Sequence, residues 1–137
     1  MGWAPMRPDT LAEAVRRSIG SAAPLRAHVD EFLDEFYTRP EERQRMIAPV
    51  PPWLGDAGRD AWIGAVGEHL ARRWNLAIPA WTEDPRRFLA RPVFEGGGTR
   101  EAMMLDLMES PIAFRRRLIF TEAEPLRRAR FPRAGAA

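Results

Sequence analysis

The chain has 137 residues, 45% of them hydrophobic, with 21 basic against 19 acidic side chains and a net charge of +2. That length suits one domain with a real core. The small net charge excludes a strong field over the whole molecule, and the absence of cysteine excludes disulfides, thiolate catalysis and cysteine-ligated metal.

Helical signals dominate from the start. Thr10 and Glu13 have capping-box spacing, and Leu11, Val15 and Ile19 share one face before Gly20. A second helix is predicted from about Pro24 to Tyr37, burying Leu25, Val29, Phe32, Leu33 and Phe36 and turning Arg26, Asp30, Glu31 and Asp34 to water. Pro40 opens a short helix through Ile47. The Pro-rich stretch from Ala48 to Asp56 reads as a connector pinned by Val50, Trp53 and Leu54.

The strongest periodicity follows, from about Gly58 to Asn75. Trp62, Ile63, Val66, Leu70 and Trp74 form its apolar face, with Glu68, Arg72 and Asn75 opposite. Residues 76–80 are extended, since Pro79 restricts its neighbour. Thr82 or Asp84 caps a short helix near Pro85 to Ala90. Gly96-Gly97-Gly98 is a flexible break rather than a phosphate cradle, because no strand pattern feeds it and no lysine follows. No strand pattern of real length appears. The expected fold is all-α, a single compact domain of five to seven helices with Pro-rich connectors, over residues 10–130. Residues 1–9 and 131–137 are expected to be disordered.

Thr99 caps a helix through Met108 in which Met103, Met104, Leu105, Leu107 and Met108 leave only Asp106 and Glu109 as a narrow polar strip. A helix apolar nearly all round is central to its fold or covered by a partner. The central position is the expectation, with a dimer or partner interface as the alternative.

The next segment, Glu109 to Phe120, holds three consecutive arginines between apolar residues. Ser110 suits the N-cap and Pro111 the first helical position. If the helix runs on, Ile112, Phe114, Leu118 and Ile119 form a broad apolar face with Arg115 in its middle and Arg116 and Arg117 on its flanks. A buried guanidinium must be paired, so Arg115 is expected in a structural ion pair with Asp106 or Glu109. The stems of Arg116 and Arg117 snorkel and leave their charges for a partner. From Ser110 onward seven arginines, Arg127 and Arg128 among them, face only Glu122 and Glu124, a local excess of five positive charges. This end is the candidate docking surface.

Chemistry-bearing groups are few. His28 and His69 sit at the edges of their helices' apolar faces, where packed histidines are the expectation, and no metal-ligand spacing occurs. No catalytic residue, cofactor or metal is expected, and the chain is not read as an enzyme. No apolar run of 18 residues and no signal core occur, so a cytoplasmic protein without membrane contact is expected.

The runs Asp30 to Tyr37, Glu68 to Arg73, Pro79 to Thr82 and Glu109 to Arg117 resemble a family of uncharacterised bacterial proteins, chiefly actinobacterial, over about residues 11–130. In many members these elements follow an N-terminal helix-turn-helix domain, and some are similar to antitoxin-type regulators. No helix-turn-helix precedes Leu11 here, so sequence-specific DNA binding does not carry over. The resemblance implies the accessory, partner-binding half of a regulator. The expected function is a protein-interaction module, regulatory or antitoxin-like. It would bind a partner protein through Met103, Met104, Met108, Arg116, Arg117, Arg127 and Arg128. A homodimer stays open. The alternative is a nucleic-acid-binding accessory protein whose C-terminal arginines meet phosphates, with the steep salt dependence of counterion release.

Overall fold

A computed structural model describes residues 6–129. The expected disorder of 131–137, and of the first five residues, lies outside them. The described chain forms six α-helices, α1 (Leu11–Ser18), α2 (Leu25–Phe36), α3 (Arg43–Ile47), α4 (Ala57–Arg73), α5 (Arg100–Glu109) and α6 (Ile112–Arg115). Two-residue strands β1 (Val93–Phe94) and β2 (Ile119–Phe120) pair in parallel, Val93 with Ile119 and Phe94 with Phe120. The fold is all-α with this minimal sheet, which the sequence pattern did not announce. The chain divides into two compact units, one of residues 6–52 with 127–129 and the other Trp53–Leu126.

In the first unit, the Thr10 hydroxyl accepts from the Glu13 N–H at 3.1 Å, while the Glu13 carboxylate accepts from the Asp9 N–H rather than from that of the cap. Leu11 and Val15 are fully buried, but Ile19 leaves the helix in extended backbone and is 56% exposed. Residues 6–9, expected in the disordered tail, are held: Pro8 is buried and Asp9 bonds Arg39 and Arg45 at 2.8 and 2.7 Å. Helix α2 buries Val29, Phe32, Leu33 and Phe36 as its periodicity predicts. No side chain caps its start. Its end is closed by the buried Arg43, whose guanidinium donates to the Phe36 and Tyr37 carbonyls at 3.0 and 2.9 Å, groups with no intrahelical donor. In the connector, Val50 does not pin the chain but lies 63% exposed, and Pro51 is buried instead.

The second unit is built on α4. Asp56 accepts from the Arg59 N–H as N-cap, and Asp60 accepts from the Leu54 N–H, both at 2.9 Å. Every residue from Asp60 to Ala71 is buried, so α4 is enclosed on all sides and Glu68 is not on a solvent face. Gly64 and Gly67 make this enclosure feasible. A Cβ on Gly67 would lie 2.6 Å from the Trp81 ring, and one on Gly64 would lie 2.9 Å from Cβ of Arg87. Residues 85–87, where a short helix through Ala90 was expected, form only a 3₁₀ turn capped by Asp84, and a further 3₁₀ turn over 80–83 precedes it.

Helix α6 ends at Arg115, and Leu118 takes a left-handed backbone (φ 62°) that sends the chain into β2. The predicted continuous helix through Ile119 is therefore replaced by one turn and a strand. Ser110 does not cap α6. Its N–H closes α5 on the Asp106 carbonyl at 3.0 Å, and its hydroxyl accepts from the Thr121 N–H at 2.8 Å.

Candidate interaction surface

The face of α6 that is buried, Ala113 and Phe114 with Arg117 rather than Ile112, reverses the expected roles of the three arginines. Arg117 is fully buried. It donates to Glu68 Oε1 at 2.7 Å, to the Ala113 carbonyl at 2.8 Å and to the Thr82 carbonyl, and its guanidinium lies 4.3 Å from the Phe88 ring centre. Arg116 donates to the same Glu68 oxygen at 2.7 Å and forks onto Glu83 at 2.9 and 3.1 Å. Arg72 donates to the other Glu68 oxygen at 2.7 Å. Arg115 is exposed and makes no ion pair with Asp106 or Glu109. It donates instead to the Leu107 carbonyl at 2.6 Å and lies 3.5 Å from that of Ser110. The structural ion pair thus belongs to Arg117 and Glu68, and Arg115 caps the end of α5.

Glu68 is the electrostatic centre of this cluster. Its burial would raise the carboxyl pKa, but the three guanidiniums of Arg117, Arg116 and Arg72 outweigh it and hold the value at about 2. An ionised carboxylate locked by three donors does not take up protons near neutrality, so Glu68 is no general base. Burial pushes Arg117 down and Glu68 pulls it back up. Arg87, also fully buried, donates to the Asp60 carbonyl at 3.2 Å and lies 4.1 and 5.0 Å from the rings of Trp53 and Trp81. Periodicity gave no hint of Arg87. The available signal was the pair of glycines inside α4, each of which lowers helix propensity and so marks a close approach.

The C-terminal arginines are similarly engaged. Arg128 forks onto Asp34 at 3.0 and 3.2 Å and reaches Asp30 at 3.4 Å, while Arg127 is exposed. Of the arginines of this end that lie among the described residues, Arg116, Arg117 and Arg128 are thus each paired with carboxylates from elsewhere in the chain.

Helix α5 is the opposite of a central core helix. Its one buried residue is Asp106. Met104 and Leu105 are each 54% exposed, Leu107 43% and Met108 77%, followed by Ile112 at 53%. Met103 is half-buried. The Asp106 carboxylate accepts from the Gly96 N–H at 2.9 Å, and a Cβ on Gly96 would fall 2.5 Å from its oxygen. That bond uses one of the backbone donors of the three glycines and sets a carboxylate beside them, where a phosphate would be repelled. The residue that α5 buries is thus acidic while four of its large apolar side chains face outward, the reverse of a surface helix. Arg100 and Arg115 lie exposed on this helix and just beyond it, with no carboxylate partner among the described residues.

His28 and His69 are not brought together. The His28 ring lies 2.9 Å from the Ser21 hydroxyl. His69 is 8% exposed and packs edge-on against Phe114 with ring centres 5.6 Å apart. Its burial, with help from Arg73, lowers its pKa to about 4. Among the described residues no three His, Asp or Glu side chains converge to hold a metal, and no helix is long and apolar enough to cross a membrane.

Comparison with protein-family models, with curated proteins and with solved structures returns no match for this chain.

Proposed function

We propose that this protein is a helical protein-interaction module, regulatory or antitoxin-like in role, whose contact surface is the outward face of α5 continued by Ile112. One observation carries the reading: four large apolar side chains of a ten-residue helix are exposed while its one buried residue is an aspartate. Contiguous exposed apolar surface marks an interaction site, and methionine adapts its flexible thioether to the partner it meets. Arg100 and Arg115 border the face and suit acidic groups on that partner. Of the arginines expected to dock, Arg117 supports the fold instead, and Arg116 is held by Glu68 and Glu83. The resemblance to regulator accessory domains supports the regulatory role.

A photo-crosslinking residue placed at Leu105 or Met108 in the native host tests the reading, with one at the exposed Glu31 of α2 as reference. A discrete protein adduct is expected from the α5 positions alone, and the one from Leu105 should be lost in Met104→Asp/Met108→Asp at unchanged helical content. An adduct of twice the chain mass would make the partner a second copy. Absence of any protein adduct from α5 overturns the reading.

A further inference from the structure

We infer that helix α5 is a methionine-oxidation site, at which conversion of Met104 and Met108 to sulfoxides turns the outward face polar while leaving the fold intact. The consequence for docking rests on the function proposed above, but the chemistry at the site does not.

The chain has six methionines and no cysteine, so no thiol competes for a two-electron oxidant. Three of the six, Met103, Met104 and Met108, lie on α5. Met108 and Met104 are 77% and 54% exposed, whereas Met46, in the core of the first unit, is fully buried. Met6, also in the first unit, is exposed as well at 70%, but it stands alone in sequence whereas α5 carries its methionines as a cluster. Met104 and Met108 are four residues apart, so their thioethers are neighbours on one helix face. What fixes α5 is polar: Asp106 on the Gly96 N–H, Thr99 on the Ala102 N–H, Ser110 to Thr121, and Arg115 on the Leu107 carbonyl. No thioether takes part in these bonds. A sulfoxide oxygen on this face points to water and disturbs none of them, so the modification acts on the surface and not on the core.

In the step, hydrogen peroxide transfers one oxygen to the thioether sulfur. The O–O bond breaks, an S–O bond forms, sulfur loses two electrons, and the second peroxide oxygen leaves as water. Methionine sulfoxide reductases reverse it with two electrons from thiols.

The full chain treated with hydrogen peroxide and followed by peptide mass mapping tests this, together with far-UV circular dichroism and the fluorescence of an apolar surface dye. Met104 and Met108 are expected to gain oxygen about tenfold faster than Met46. Helical signal and Tm should be unchanged, and dye fluorescence should fall and return after reductase treatment. Met104→Leu/Met108→Leu should keep its dye signal through peroxide exposure. Oxidation of Met46 in step with α5, loss of helical signal on treatment, or an unchanged dye signal with both α5 methionines oxidised would each overturn the inference. A failed crosslinking result with these responses intact would remove the docking role and leave the oxidation site standing.

Discussion

At the scale of single residues, the decisive contrast lies between Arg115 and Arg117, two positions apart. Arg117 is fully buried against a fully buried Glu68. Removing one partner of such a pair strands the other charge in the core. Glu68→Gln is therefore expected to destabilise the protein by about 3–5 kcal/mol in urea unfolding. Arg115→Ala forfeits exposed bonds to two carbonyls, and its expected loss is below about 1.5 kcal/mol. Equal losses from both substitutions would show that the buried pair does not organise this unit. In the sequence, the arginine triplet was conspicuous, but its inward-facing member was not identifiable. A wheel drawn through Ile119 assumes that the helix continues. The face that is buried is instead the one carrying Ala113, Phe114 and Arg117, while Ile112 of the predicted apolar face is 53% exposed.

At the scale of elements, α4 and α5 show opposite solutions for a helix without a clean amphipathic stripe. Helix α4 is enclosed because its glycines let the neighbouring segment approach. Alanine at Gly67 would gain about 1 kcal/mol of intrinsic helix propensity. Its Cβ, however, would meet Trp81 at 2.6 and 2.8 Å and Thr82 at 3.0 Å. Gly67→Ala is therefore expected to destabilise by about 1–2 kcal/mol net. Gly58→Ala is the control: its Cβ would make an ordinary 3.4 Å contact with Asp56, so it should stabilise by roughly 0.5 kcal/mol. Thermal unfolding of the two variants checks both signs. Helix α5 stands outside the core because its anchor is a carboxylate bonded to the backbone of the glycine loop. Its sequence showed a helix apolar almost all round. It did not show that Asp106, of the polar pair Asp106 and Glu109, would face inward, since that depends on the Gly96 N–H being close enough to bond it.

At the scale of the whole molecule, stability follows the protonation of two buried groups in the second unit. The unfolded chain protonates His69 near its ordinary 6.5, whereas the folded protein holds it neutral down to about 4. Between these values the unfolded state binds more protons, so stability falls as pH falls from 6.5 to 4, by at most about 3 kcal/mol. Glu68 adds a second window. Its folded value of about 2 lies below the ordinary 4.5, so its contribution is complete above 4.5 and is lost as pH falls towards 2. Urea unfolding at a series of pH values should show both windows, and His69→Gln should flatten the upper one alone. A wild-type profile flat from pH 6.5 to 4 would contradict the buried, neutral histidine.

The amino-acid sequence by itself determined the helical class, the caps at Thr10 and Thr99, the buried stripe of α2 and the apolar character of α5. Those features depend on residues within a turn or two of one another, where periodicity and capping act. Only the tertiary structure decided which side of α5 meets water, that Glu68 is a core residue, and that Arg117 rather than Arg115 is its partner. These outcomes depend on groups 10 to 49 residues apart along the chain. Their juxtaposition goes with close approaches at Gly64, Gly67 and Gly96, where a Cβ would collide with Arg87, Trp81 and Asp106 respectively. No local pattern encodes such distances, because a buried charge reads in sequence like an exposed one until its partner is in place.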